Sequence, residues 1–500
     1  MYHCCSGLMN CERPKGIGEH PKPVRLYLRP SINSKDLPSP RHFIITLTQM
    51  TIHSKLLFKF SLSILLLVTG TISWSENGVN WPQFRGGNAN PAIADNPKLP
   101  EKWSTTENVQ WVTDVPGWGW SSPVVWDDKV FLTTVDAAGN WEKPKEGLYN
   151  GRGREIPVDE VHAWIVYCFD LKTGDVLWRN KVKEGKPEVP RHPKNTYASE
   201  TPATDGERVY FLFGDVGLYT FDLEGNHLWT YEIEAKETRN DWGTASSPIV
   251  YQGHVYVLYD NQEESWLAKF HGKTGKEVWK VYRDEISSWA TPFIWENEIR
   301  TELVTNAKNR IRSYDLDGNL LWEMDGRMSW ACIATPISEC GLLYVNSGYF
   351  SDSHRPVYAI KPGARGDITL AENEESNDYV AWYHPLAGNY NTSPLIYKGI
   401  YYSILDRGSF EAYNPATGEQ IYSQRKINDK ERASFTCSPW AYNDKVFCLS
   451  EQGETYVIEA GTEFNLLYQN SLEEMVMSVP AILDDKILIR TVSKLYCIGE

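Results

Sequence analysis

The stretch SSPVVWDDKVFLTTV at residues 121–135, taken with FDLKTGDVLW at residues 169–178, holds one complete repeating unit. A Ser-Pro step opens a first strand, Ser121 to Val125, and a turn leads to a second, Val130 to Val135. A third runs from Ile165 to Leu171. Asp170, Thr173 and Gly174 then turn the chain into a fourth, Asp175 to Val182, which carries Trp178. Runs such as VFLTTV, VYFLFG and VYVLY are β-branched and aromatic with no helical period, so they read as buried strands. The opening step recurs at Pro123, Pro202, Pro248, Pro292, Pro336, Pro394, Pro439 and Pro480, each preceded by Ser, Thr or Val and mostly about 40 to 60 residues from the next. A period in that range marks stacked repeats, and four strands per repeat make a propeller blade. The expected fold is all-β: an eight-bladed β-propeller of four-stranded antiparallel blades.

The last repeat shows how the ring closes. MSVPAILDDKILIRTVSKLYCI supplies three strands of blade 8 before the sequence ends at Glu500, leaving that blade without an outer strand. Upstream of blade 1, NVQWVTDV at Asn108 to Val115 has the pattern of the outer strands DVLWRNKV, NHLWTYEI and KEVWKVYR. This N-terminal strand is predicted to complete the last blade, which removes the exposed sheet edge of an open array. The propeller then spans residues 108–500, with 76–107 as an N-terminal extension.

Composition agrees. Five hundred residues exceed one ordinary compact domain, and a propeller absorbs that length because each blade packs only on its neighbours. Twenty Trp and 28 Tyr suit the wide gaps between twisted sheets. MTIHSKLLFKFSLSILLLVTGTISWS, from Met50 to Ser75, places Lys55 and Lys59 ahead of an apolar stretch and small residues near its end. That is the layout of a secretory signal peptide, too short in its apolar part for a comfortable membrane span. Residues 1–49 read as an unpatterned leader, with Met50 the working start. Beyond residue 75 the chain carries 41 Lys and Arg against 62 Asp and Glu. Such an acidic chain is not expected to bind nucleic acid, whose phosphates need a basic face. Six Cys follow the leader without CxxC or metal-ligand spacing; Cys437 and Cys448 sit on two arms of one hairpin, set diagonally by the turn at Asn443 and Asp444, and read as free thiols.

Glycines at 174, 225, 275, 318 and 418 stand where a tight hairpin requires positive φ, and Asp170, Asp222 and Asp315 precede three of those turns as backbone acceptors. Trp178, Trp229, Trp279 and Trp322 read as packing between blades. The pattern DxxTGxxxW is complete at Asp170–Trp178, has His271 for Asp at His271–Trp279, and is one residue shorter at Asp222–Trp229 and Asp315–Trp322. These residues resemble the PQQ-like (quinoprotein-type) repeat family of eight-bladed β-propellers over about residues 81–500. The opening WPQFRGG at Trp81–Gly87 resembles that of secreted bacterial members of unassigned function. The family holds both quinoprotein dehydrogenases and non-enzymatic scaffolds such as the BamB-like outer-membrane assembly propeller. For its enzymes the resemblance implies pyrroloquinoline quinone (PQQ) held between a Trp and an adjacent-Cys disulfide, with a calcium ion and a catalytic Asp. Here the only adjacent pair is Cys4 and Cys5 in the leader, no calcium ligand set or catalytic Asp matches, and there is no CxxCH. PQQ and calcium therefore rest on resemblance alone, and the cofactor is left unassigned.

Propeller topology puts the D-to-A and B-to-C connections on the top face. The two longest, Asp136 to Trp164 and Lys183 to Ser199, bring Arg152, Arg154, His162, Arg191, His192 and Lys194 to one rim. Just ahead of the prolines come Trp118, Trp120, Tyr197, Trp242, Trp289, Trp330, Tyr390 and Phe435, so aromatic rings should surround the channel mouth, with polar groups among them. The candidate ligand-binding residues are Trp120, Arg191, His192, Tyr197, Glu200, Arg239, Trp242, Trp289, Trp330, Asn391 and Arg407. Glu200 beside Thr201 and Asp406 beside Arg407 read as structural pairs, and the chain lacks GxSxG, HExxH and Walker patterns, so no catalytic or metal residue is named. The acidic insertion Lys361 to Tyr379 reads as a solvated bottom loop. The expected function is a secreted or periplasmic binding or scaffold module, monomeric and without a transmembrane domain once the leader is removed. It would take a protein, small-molecule or sugar ligand at its top face. The alternative is a quinoprotein-like oxidoreductase.

Overall fold

The computed structural model describes residues 80–500, apart from 138, 140–141, 150–159, 350, 425 and 429–432. The leader, with its signal-peptide reading, and Arg152 and Arg154 lie outside the described residues. Eight antiparallel sheets follow one another in chain order, each with its first strand at the central channel. Blade 1 is built from Val124–Trp126, Lys129–Ala137, His162–Asp170 and Val176–Gly185. Its two middle strands are almost wholly buried, because a neighbouring blade covers each face, whereas outer strands such as His227–Glu232 alternate exposed and half-buried residues. Among the described residues the only helical segment is a 3-10 turn, Arg239–Asp241, and no helix is long and apolar enough to cross a membrane.

The ring closes as the sequence predicts. Val109–Asp114 pairs antiparallel with Lys494–Gly499, setting Trp111 opposite Cys497 and Val112 opposite Tyr496. The seam repeats the joints between the other blades. Trp111 Nε1 donates to Leu171 O at 3.0 Å across the last and first blades, as Trp178 Nε1 donates to Leu223 O at 3.0 Å across the first and second. Each indole lies on the turn glycine of the following blade. A Cβ on Gly225 would sit 2.7 Å from the Trp178 ring, and on Gly174 2.5 Å from Trp111, so these glycines are needed for space as well as for their φ angles of 88° and 77°. Trp322 is the exception, its Nε1 turned to Glu302 Oε2 of its own blade at 2.7 Å.

A second seam runs around the channel and explains the repeated Ser/Thr-Pro step. At most steps the residue before the proline donates its N–H to the hydroxyl of the equivalent residue one blade on: Ser122 to Thr201 at 2.9 Å, Thr201 to Ser247 at 3.0 Å, Ser247 to Thr291 at 3.1 Å. Thr335 donates to Ser393 at 3.0 Å, Ser393 to Ser438 at 2.9 Å, and Val479 to Ser122 at 2.9 Å, tying the last blade to the first. Six of eight links are thus made among the described residues. The belt is interrupted at Val479, which has no hydroxyl for Ser438, and at Thr335, whose Oγ1 has no partner.

The insertion after Lys361 departs from the expected solvated loop. Gly366–Asp367 pairs in parallel with the outer strand of blade 4, Leu320–Met324, giving that sheet a fifth strand, while Ala364, Ile368 and Leu370 are buried. Apolar residues inside an acidic run let it cover a sheet edge. Cys437 and Cys448 are both buried free thiols.

Candidate functional site

The central channel holds a cavity of about 200 Å³. WPQFRGG and the residues after it close its lower end. Trp81 exchanges backbone hydrogen bonds with Val125 of blade 1 at 2.8 and 2.9 Å, and Pro82 O accepts from Thr204 of blade 2 at 2.8 Å. Gln83 Oε1 accepts from Val250 of blade 3 at 3.0 Å. Arg85, fully buried, donates to Pro394 O of blade 6 at 2.6 Å, and Ile93 and Pro91 bond to Ala441 of blade 7. Burial pushes the Arg85 guanidinium down to about 9. The segment therefore crosses the channel as a plug, and its Phe84 forms part of the cavity wall.

The top is roofed by the blade 1 insertion. Gly147, Leu148 and Tyr149 line the cavity, and Gly147 N–H donates to Glu451 Oε2 of blade 7 at 2.7 Å. Glu451 is fully buried. Its Oε1 accepts from Thr436 Oγ1 at 2.7 Å and pairs with Lys194, which arrives from the loop between blades 1 and 2. The pair ties the loop between blades 1 and 2 to blade 7 across part of the mouth. Beneath it runs a continuous arc of rings. Tyr149 stacks on His192 at 5.3 Å, His192 meets Trp242 at 5.0 Å, Trp242 meets Trp330 at 5.1 Å, Trp330 meets Tyr349 at 4.6 Å, and Tyr349 meets Tyr390 at 5.0 Å.

Of the sequence-derived candidates, Trp120, His192, Trp242, Trp289 and Asn391 lie on the cavity wall. Trp120 Nε1 donates to Lys194 O at 2.6 Å and Trp289 Nε1 to Gly243 O at 2.7 Å, whereas the Trp242 Nε1 is buried with no partner. The other six do not line the cavity. Trp330 packs behind Trp242, and Arg239 stands over the Trp330 ring at 4.8 Å. Arg407 is exposed in the turn that follows Asp406. Arg191 is buried and donates to Glu142 O and Asn195 O, both at 2.7 Å, so it braces the roof rather than forming a basic rim. Tyr197 is buried among His162 and Trp164 and donates to Val189 O at 3.0 Å. Glu200 faces blade 3, accepting from Thr244 Oγ1 at 2.5 Å and Gly214 N–H at 3.2 Å; burial raises its carboxyl above the usual range. Nearby Asp215, whose Oδ1 is enclosed although the residue is partly exposed, is pushed up to about 8 by burial and then by the Glu200 charge. Sequence reasoning missed Phe84, Glu451 and the belt hydroxyls as parts of this site. The belt was visible as the residue before each proline, but a period of hydroxyls reads as turn chemistry until the ring brings them together.

The wall does not suit a quinone cofactor. PQQ is a tricarboxylate, and among the described residues the lining contains no arginine; its one ammonium there, Lys194, is already paired with Glu451. Calcium needs six to eight oxygens, and no group of three or more His, Cys, Asp or Glu placed to hold a metal ion occurs among the described residues.

Fold and site define a closed eight-bladed propeller with an internal cavity, plugged below and roofed above. The chain belongs to the family described as outer membrane protein assembly factor BamB, whose model matches residues 92–262 and 258–498. Comparison with curated protein sequences gives no match. Among solved structures, quinohemoprotein alcohol dehydrogenase from Comamonas testosteroni is similar with a TM-score of 0.51 at 10% identity, covering 84% of this chain and 80% of that one. BamB from Moraxella catarrhalis is similar with a TM-score of 0.48 at 12% identity, covering 67% of this chain and 91% of that one. At such identities the likeness concerns the fold alone.

Proposed function

We propose that this protein is an extracytoplasmic binding module, exported through its Met50–Ser75 leader, which takes a small ligand into the central cavity from the top face. The observation that carries this reading is the aromatic-lined cavity at the channel mouth, with Trp120, Trp242 and Trp289 on its wall and His192 and Asn391 among them. Convergent polar groups in an apolar pocket are the usual form of a small-molecule site. The BamB-like family and the acidic surface left after the leader support a scaffold working outside the cytoplasm. The test is ligand-dependent Trp fluorescence and melting temperature on the purified protein. The double variant Trp242→Ala, Arg239→Ala is expected to stay soluble and folded but lose the response. Binding that survives both changes would place the site elsewhere. Millimolar PQQ with calcium is expected to give neither a bound chromophore nor a shift; a saturable chromophore would restore the oxidoreductase reading.

A further inference from the structure

The belt hydroxyls have unused protons. Six of them accept a backbone N–H from the neighbouring blade, and among the described residues none donates to a protein acceptor in turn. Thr335, only 2% exposed, neither donates nor accepts through its Oγ1. All seven residues line the cavity, so O–H donors converge on it from around the ring. An N–H donated to a hydroxyl oxygen polarises that group and strengthens its own donation. Buried donors without acceptors are costly, and a ligand with oxygens around its rim removes the cost.

The space above and below this ring of donors is walled mainly by aromatic and apolar side chains, with His192, Lys194, Asn195, Ser199, Asn391 and Thr436 the polar residues among them. Trp120, Trp242 and Trp289 precede their belt residues in the chain and form the wall toward the top face. Phe84 comes from the plug, whose backbone bonds reach the belt strands beyond their prolines, at Val125, Thr204 and Ala441. Among the described residues no Asp, Glu or Arg is on the wall. The cavity therefore asks for a neutral molecule with a polar circumference and two apolar faces. A flat aromatic hydrocarbon would leave the donors without acceptors.

From this we infer that the cavity is a monosaccharide site, holding one neutral pyranose across the channel with its peripheral oxygens accepting from the belt hydroxyls and its C–H faces against aromatic rings. The inference rests on the cavity being the ligand site. The experiment titrates the purified protein with D-glucose, D-galactose, D-mannose and L-fucose, and separately with cyclohexanol, a ring of similar size with one hydroxyl, following Trp fluorescence and melting temperature. At least one pyranose is expected to give a saturable signal stronger than cyclohexanol. Thr335→Val keeps the shape, breaks no belt link and removes a buried hydroxyl without a partner; it is expected to leave the unliganded melting temperature unchanged or slightly raised and weaken pyranose binding roughly 2- to 10-fold, the loss of one hydrogen bond. Pyranose binding unaffected by Thr335→Val overturns the proposal. Binding of cyclohexanol without any pyranose overturns it while leaving the cavity as the ligand site, and binding of neither removes both.

Discussion

Val479→Thr should stabilise this protein. Seven of the eight prolines that open a blade follow Ser or Thr, and Val479 is the exception. The N–H of Ser438 consequently lacks the hydroxyl acceptor that six of its counterparts have at 2.9–3.1 Å. Thr and Val have nearly the same shape, so the replacement exchanges one methyl for a hydroxyl at a position only 3% exposed. One hydrogen bond between buried neutral groups contributes about 1 kcal/mol net. In a ring of this size that is a rise of about 1–2 °C in melting temperature. Ser122→Ala is the opposite perturbation. It deletes the acceptor 2.9 Å from the Val479 N–H, where the last blade meets the first, and leaves that donor buried. The expected loss is about 1–3 kcal/mol, because an unsatisfied buried donor costs more than a formed bond returns. Equilibrium urea unfolding followed by Trp fluorescence measures both, as shifts in midpoint at constant slope. A destabilised Val479→Thr, or a neutral Ser122→Ala, would refute the idea that the hydroxyl belt holds the blades in register.

Deleting Asn108–Val115 removes the outer strand of blade 8 and should lower the unfolding midpoint of the whole ring; unchanged thermal stability would contradict the strand pairing. Gly225→Ala forces a Cβ to 2.7 Å from the Trp178 ring at a φ of 88°, and should cost about 2–4 kcal/mol by chemical denaturation, with an effect under about 0.5 kcal/mol counting against the indole-on-glycine joint. Lys194→Ala leaves the Glu451 carboxylate buried without its ammonium and should cost about 3 kcal/mol; equal unfolding midpoints for variant and parent would remove the roof fastening. Burial raises the folded-state pKa of Glu200, so its contribution is most favourable below its unfolded value of about 4.3 and is lost as pH climbs toward the folded value. Glu200→Gln should therefore gain stability over the parent at neutral and alkaline pH and show no gain at pH 4; a gain independent of pH would show that the carboxyl is not the cause.

The sequence by itself determined the architecture. Ser/Thr-Pro steps, turn glycines and outer-strand tryptophans recur because each blade must meet identical neighbours, and a repeated boundary condition leaves a repeated imprint. The missing strand of blade 8 and the matching NVQWVTDV were legible for the same reason. The site was legible only in part. Trp120, Trp242 and Trp289 could be placed near the mouth by their position before a proline, but Glu200 shares that position and Arg191 lies in the loop ahead of it, and both turn away to satisfy a hydroxyl and buried carbonyls. Side-chain direction at the end of a strand depends on which unsatisfied group lies closest, and that neighbour is far away in the sequence. The plug and the roof are of the same kind: Phe84 reaches the cavity because Trp81–Ala92 finds backbone partners on blades 1, 2, 3, 6 and 7, and Lys194 meets Glu451 across 257 residues of chain. Such non-repeating contacts carry no period. Only the closed ring, which fixes what lies across the channel from what, decided them.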